Sequence, residues 1–83
     1  MKIKYLTWLQ EKTGKHEDHL NLPKDVETIG CLITYLENNK SECAAVFKNR
    51  SVIYTAVNNE IQQQDHSIKN TDEVSFFSAI VGG

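Results

Sequence analysis

No apolar run in the sequence approaches the ~20 residues that a membrane span needs. The opening Met1-Lys2-Ile3-Lys4 goes straight into a strand pattern without an apolar leader. The reading is therefore a cytoplasmic protein with no membrane partner, in which Cys31 and Cys43 are reduced thiols. The spacing of these two cysteines fits neither a zinc site nor a CxxC redox pair, so no metal site is implied. A basic excess is also missing. Nine Lys+Arg against eleven Asp+Glu give a net charge of −2, which excludes the basic stripe of a nucleic-acid binder. There is no GxGxxG, no phosphate loop and no Ser-His-Asp order. The chain carries no catalytic apparatus of its own. If it takes part in chemistry, it presents a group to the active site of another protein.

What is present is one small domain. At 83 residues the chain buries only about 60–65% of its unfolded surface. Apolar content of 40% and charged content of 24% suit a globular fold. After residue 50 the acids Glu60, Asp65, Asp72 and Glu73 outnumber Lys69, a bias that favours a basic partner surface.

Taken in order, residues 2–7 read as a strand with Ile3 and Tyr5 on one face. Leu6 and Trp8 fall on the other side or begin a turn. Residues 8–13 suggest a short helix ended by Gly14. Residues 15–22 give a weak, polar strand with Leu20 and Leu22 as its apolar teeth, suited to a sheet edge. Within it His16, Glu17, Asp18 and His19 resemble metal ligands only in composition. In a strand, residues three apart point to opposite faces, which favours a solvated polar strand. Thr28 can cap the principal helix, in which Ile29, Leu32, Ile33 and Leu36 share one face. Cys31 lies in its first turn, where the dipole can lower a thiol pKa, but no general base is placed beside it. Asn38-Asn39-Lys40 closes the helix. Residues 41–47 form a further helical turn capped by Ser41, and 48–51 a polar loop. Residues 52–58 read as a strand, with Val52, Tyr54, Ala56 and Asn58 opposite Ile53, Thr55 and Val57. Asn58-Asn59-Glu60 is a turn, Ile61 marks a short strand, and Ile68 is an isolated apolar anchor before a turn at 69–72. The expectation is an α+β mixed sheet with one principal helix packed on one face. Its first and last strands pair in parallel at the centre.

The last stretch is Glu73-Val74-Ser75-Phe76-Phe77-Ser78-Ala79-Ile80-Val81-Gly82-Gly83. It begins as a strand, with Val74 and Phe76 on one face and Phe77 on the other. Residues 1–78 are expected to form the domain and 79–83 a flexible tail, which when extended reaches roughly 16 Å. A terminal Gly-Gly fills no core and is costly to order, yet it suits a backbone passing through a narrow slot. Ile80 and Val81 are less polar than a merely solvated tail, as if made to dock. The working group on this reading is the free carboxylate of Gly83.

Gly82-Gly83, the preceding Asp72-Glu73-Val74-Ser75-Phe76-Phe77, the opening Tyr5-Leu6-Thr7-Trp8-Leu9-Gln10-Glu11 up to Gly14, and Val57-Asn58 together resemble the small subunit of molybdopterin synthase. The resemblance spans essentially the whole chain. It implies the ubiquitin-like β-grasp fold and a non-catalytic sulfur carrier. Gly83 would be adenylated by a ubiquitin-activating-type adenylyltransferase that uses ATP and magnesium; the carrier itself binds no cofactor. The resulting thiocarboxylate would give its sulfur to cyclic pyranopterin monophosphate in the large synthase subunit, within a heterotetramer. Gly82, Val81 and Ile80 would line the partner's channel, and Leu6 and Phe77 would dock the body of the domain. Two positions depart from the family pattern: Ser78-Ala79 stand where prolines are common, and Gln10-Glu11 where Arg-Glu is frequent. The alternatives are a β-grasp carrier for thiazole or tRNA thiolation, and a ubiquitin-like modifier joined to lysines.

Overall fold

The computed structural model describes residues 1–6, 9, 14 and 17–78. Five strands form one mixed sheet: β1 (Lys2–Tyr5), β2 (Glu17–His19), β3 (Ile53–Val57), β4 (Glu60–Gln62) and β5 (Glu73–Ser78). Across the sheet the order is β2-β1-β5-β3-β4. The first and last strands run parallel at its centre, with Ile3 opposite Val74 and Tyr5 opposite Phe76. All other neighbours are antiparallel. With one principal helix on one face, this is the β-grasp arrangement.

That helix, α1 (Ile29–Asn39), buries Ile29, Leu32, Ile33 and Leu36, the i, i+3, i+4, i+7 face expected from the spacing. They meet Ile3, Tyr5, Val74, Phe76, Ile53 and Val57 from the three central strands. Phe76 is the centre of this core. Its ring lies edge-on to Phe47, centroids 4.9 Å apart, and stacks with Tyr5 at 6.3 Å. Such aromatic pairs add to what burial alone contributes.

Thr28 caps α1 as expected, its Oγ1 accepting from the Cys31 N–H at 3.2 Å. The remaining free donors of the first turn are taken by the loop before β5. Ile29 N–H donates to the His66 carbonyl at 3.1 Å and Gly30 N–H to the Gln64 carbonyl at 2.8 Å. A Cβ at Gly30 would lie 3.4 Å from the Gln64 oxygen, an ordinary contact, so this approach does not itself require glycine. Every backbone donor at this helix start is thereby satisfied within the chain.

Three sequence expectations shift. The second strand is shorter than residues 15–22. Leu20 and Leu22 pack against the core from outside it, and Lys15 and His16 lie outside the described residues. The second helix, α2 (Ser41–Val46), has Lys40 rather than Ser41 at its N-cap position, because α1 runs to Asn39 and leaves one linking residue. The polar stretch after it is a 3₁₀ helix, Phe47–Val52, not a loop. Phe47 is buried at its start. Arg50 fastens its middle to α1, bonding Glu37 and the Thr34 hydroxyl at 3.0 Å. The short helix expected at 8–13 falls outside the described residues except for Leu9, which is helical and fully buried.

The hairpin between β3 and β4 turns on Asn58 and Asn59, with φ of 52° and 72°. Asparagine tolerates this left-handed region better than other non-glycine residues. Asn58 also fixes the entry to β5. Its Nδ2 donates to Asp72 Oδ1 at 2.9 Å, and its Oδ1 accepts from Glu73 N–H at 3.0 Å. Asp72 in turn accepts from Lys69 N–H at 3.0 Å.

Candidate functional site

The face of the sheet opposite α1 is uncovered by any described residue, and strand register decides what it displays. Alternation puts Lys2, Lys4 and Leu6 of the β1 segment on that face, with Glu73, Ser75 and Phe77 of β5, Tyr54 and Ala56 of β3, and Ile61 of β4. Pairing lines them up in rows: Lys2 beside Glu73, Lys4 beside Ser75, Ala56 beside both Ser75 and Ile61, and Tyr54 beside Phe77. Leu6 extends the parallel pairing by donating its N–H to the Phe76 carbonyl at 2.9 Å, which sets it next to Phe77.

The face therefore divides into two parts. One corner is charged and internally matched. Lys4 Nζ meets Glu73 Oε1 at 2.9 Å, Lys2 meets Glu17 at 3.8 Å, and His19 meets Glu17 at 2.9 Å. The hydrogen bond from Lys4 holds the Glu73 carboxyl below its ordinary range, and the same bond holds Lys4 above its own. The other part is an apolar band: Leu6 (37% exposed), Phe77 (half-buried) and Tyr54 (46%) form one row across β1, β5 and β3, and Ile61 (68%) stands on β4 in the next row, opposite Ala56. Tyr54 meets Phe77 edge to face, ring centroids 5.8 Å apart at 74°. The band lies at the end of the sheet where β5 finishes at Ser78, five residues before the last glycine.

Of the six residues singled out from the sequence, Leu6 and Phe77 are brought together on this surface. Ile80, Val81, Gly82 and Gly83 lie outside the described residues. Tyr54 and Ile61 complete the band and were not anticipated. The signal for Tyr54 was present: it alternates with Ile53 and Thr55, both buried, so a large ring was bound for the open side. Ile61 gave less warning, since an isoleucine beside a turn reads as core until its strand is known to be an edge.

The acidic bias after residue 50 is partly consumed inside the fold. Asp72 is buried and bonded to Asn58 and Lys69, and Glu73 is paired with Lys4. Glu17 bonds His19, while Asp18 faces the other side, towards the Tyr5 hydroxyl at 3.4 Å and Lys40 at 3.5 Å. Among the described residues no group of three or more His, Cys, Asp and Glu side chains is placed to hold a metal.

A family model matches residues 3–83, nearly the whole chain, and it is that of the ThiS family. The chain belongs to the ThiS family. It is a sulfur carrier of that family with the ubiquitin-like fold, and the resemblance read from its two ends holds at that level. No curated protein matches this ThiS-family chain at a significant level. Solved structures do. A protein from Pyrococcus furiosus described as a molybdopterin converting factor subunit 1 superposes with a TM-score of 0.75 at 22% identity, covering 95% of both chains. Small archaeal modifier protein 1 from Haloferax volcanii superposes with a TM-score of 0.77 at 20% identity, covering 100% of this chain and 98% of its own. The protein of that name from Methanosarcina acetivorans gives 0.70 at 18% identity, covering 99% and 94%. These likenesses establish the β-grasp fold.

The two cysteines differ in kind. Cys43 is buried with its Sγ 3.6 Å from the Tyr5 hydroxyl, and burial pushes the Tyr5 hydroxyl pKa well above its ordinary range. Cys31 is exposed; a hydrogen bond from the Thr28 hydroxyl, helped by backbone groups of Glu27 and Thr28, holds its thiol below the usual value. No described histidine or carboxylate is hydrogen-bonded to it. None of the described helices is long and apolar enough to cross a membrane.

Proposed function

We propose that this protein is the sulfur-carrier subunit of a molybdopterin synthase, working in the cytoplasm, with Gly83 as its reactive end. The observation that supports this best is the apolar band, set at the end of the sheet from which the chain leads to Gly82-Gly83. A partner that covers Leu6, Phe77, Tyr54 and Ile61 is placed to receive the residues that follow Ser78. Ile80 and Val81 would fill apolar pockets along that path, and the two glycines would pass its narrowest part.

A carboxylate is a poor electrophile, so the activating enzyme must first give it a leaving group. On this reading a Gly83 carboxylate oxygen attacks the α-phosphorus of magnesium-bound ATP, and pyrophosphate leaves. A sulfur nucleophile at the hydrosulfide level then attacks the acyl carbon and AMP leaves with the carboxyl oxygen, giving the thiocarboxylate. Docked in the large subunit, the thiocarboxylate sulfur would displace an oxygen substituent from a carbon of the pterin precursor, giving a thioester between Gly83 and the pterin, and water would cleave its acyl–sulfur bond to free the glycine carboxylate and leave the sulfur on the pterin. Binding energy from the sheet face would hold the terminus in register for each step. Two carriers and two large subunits would form the heterotetramer.

Deleting Gly83 tests this directly. The shortened chain should keep its unfolding midpoint, since the core is built from residues 3–76, but lose all sulfur delivery to the large subunit. Unimpaired delivery would overturn the proposal. A second reading, a ubiquitin-like modifier, draws support from the likeness to the small archaeal modifier proteins. It expects Gly83 in isopeptide linkage to lysines of other proteins in cell extracts, where the carrier reading expects a free thiocarboxylate.

A further inference from the structure

A chain of polar groups runs from the surface into the helix side of the fold. Asp18 pairs with Ile3 and so faces that side, while Glu17 and His19 point to the open side. Its carboxylate meets Lys40 Nζ at 3.5 Å and accepts from the Tyr5 hydroxyl at 3.4 Å. The same hydroxyl lies 3.6 Å from the Cys43 Sγ. Tyr5 and Cys43 are fully buried, so the thiol stands one side chain deep behind a strand at the sheet edge. That strand is lightly held. β2 has three residues, β1 as its only neighbour in the sheet, and no member among the buried core residues. A well-formed O–H···O bond is about 2.5–3.0 Å long, so the Tyr5–Asp18 bond is a weak one. Leu22 N–H, held by Asn70 Oδ1 at 2.7 Å, gives the segment a fixed point on which to pivot.

We propose that β2 opens as a unit while the rest of the sheet stays folded, with Asp18 as its latch, and that Cys43 behind it is a modification site for small disulfides. Segments with few buried apolar contacts open at a fraction of the free energy of global unfolding, and β2 is such a segment. Opening breaks the Asp18 contacts to Tyr5 and Lys40 and brings water to the Tyr5 hydroxyl and the Cys43 thiol. The thiol then loses its proton to water. Its sulfur attacks one sulfur of a low-molecular-weight disulfide, a new S–S bond forms, the old one breaks, and the other half leaves as a thiolate with the electron pair. Cys43 is oxidised and one half of the small disulfide is reduced. The added group is too large for the packed core, so it holds β2 open until a free thiol reverses the exchange. The device is a redox-sensitive catch on the edge of β1.

The test is the rate at which Cys43 reacts with an aromatic disulfide, 5,5′-dithiobis(2-nitrobenzoate), in the full chain carrying Cys31→Ser so that Cys43 is its one thiol. The rate follows the population of the open form when closing is fast. Below the unfolding transition its dependence on urea should be less than about a third of that of global unfolding, since only β2 is exposed. Asp18→Ala should speed the reaction about 5- to 20-fold by removing the latch. Val57→Ala, in the core of β3, should lower the urea midpoint yet leave the rate within about twofold, because the open form keeps that contact. In the labelled chain, amides of residues 17–19 should exchange fast while those of α1 and β3 stay protected, and added thiol should restore them. A urea dependence equal to that of global unfolding, or an acceleration by Val57→Ala as large as by Asp18→Ala, would overturn the proposal, as would a labelled chain with β2 still protected.

Discussion

At the scale of single residues, Asn58 shows how a polar side chain serves the fold. Asn58 spends its amide inside the fold. With φ at 52° and both amide ends bonded across to Asp72 and Glu73, it ties the β3–β4 turn to the first residue of β5. Replacing it by alanine leaves the buried Asp72 carboxylate with only its bond from Lys69 N–H and forces a Cβ-bearing residue with no compensating bond into the left-handed region. Asn58→Ala should destabilise by about 2–3 kcal/mol, read as a lower midpoint in urea. Asn58→Gly should cost less, since it removes the bonds but not the backbone conformation. The turn itself was readable from Asn58-Asn59. The bond to Asp72 was not, because it joins groups fourteen residues apart, and Asp72 was counted with the surface acids for that reason. Gly83 stands apart: the role proposed for it comes from the sequence alone and would rest on chemistry rather than on packing.

Among elements, the central pair β1 and β5 decides the most. Both were legible because Ile3, Tyr5, Val74 and Phe76 alternate cleanly, and α1 because its apolar spacing is regular and Thr28 precedes it. The 3₁₀ segment was not legible. Its polar sequence reads as a loop, and what orders it is Arg50 reaching Thr34 and Glu37, sixteen and thirteen residues away. On the open face, the Lys4–Glu73 pair joins the two central strands. Glu73 is held below its ordinary 4.5, so what the pair contributes is present above about pH 4.5 and is lost as pH falls through its folded value. Lys4 is held above its ordinary 10.5, so that part is complete below about pH 10.5 and is lost as pH rises through its own higher value. Lys4→Met should therefore lower the urea midpoint by a small amount that is level across roughly pH 6–9 and vanishes towards both extremes. A difference that instead persisted unchanged in acid would show that the packing of the lysine stem, not its charge, matters.

For the whole molecule, the layout is a handle with one dressed face. The helix side holds the core, and the opposite side holds matched charges in one corner and an apolar band near the end of β5. Sequence patterning reached the fold and two members of the band, Leu6 and Phe77. It missed Ile61, because only the completed strand order shows that β4 is an edge whose isoleucine faces out. The central claim is that this domain carries a reactive group made at its own carboxyl terminus. Intact-mass measurement after incubation with the adenylyltransferase, magnesium, ATP and a sulfide source tests it most directly. The account expects a gain of about 16 Da, one oxygen exchanged for sulfur, confined to the fragment ending in Gly83. An unchanged mass, or the same gain in a chain lacking Gly83, would contradict it.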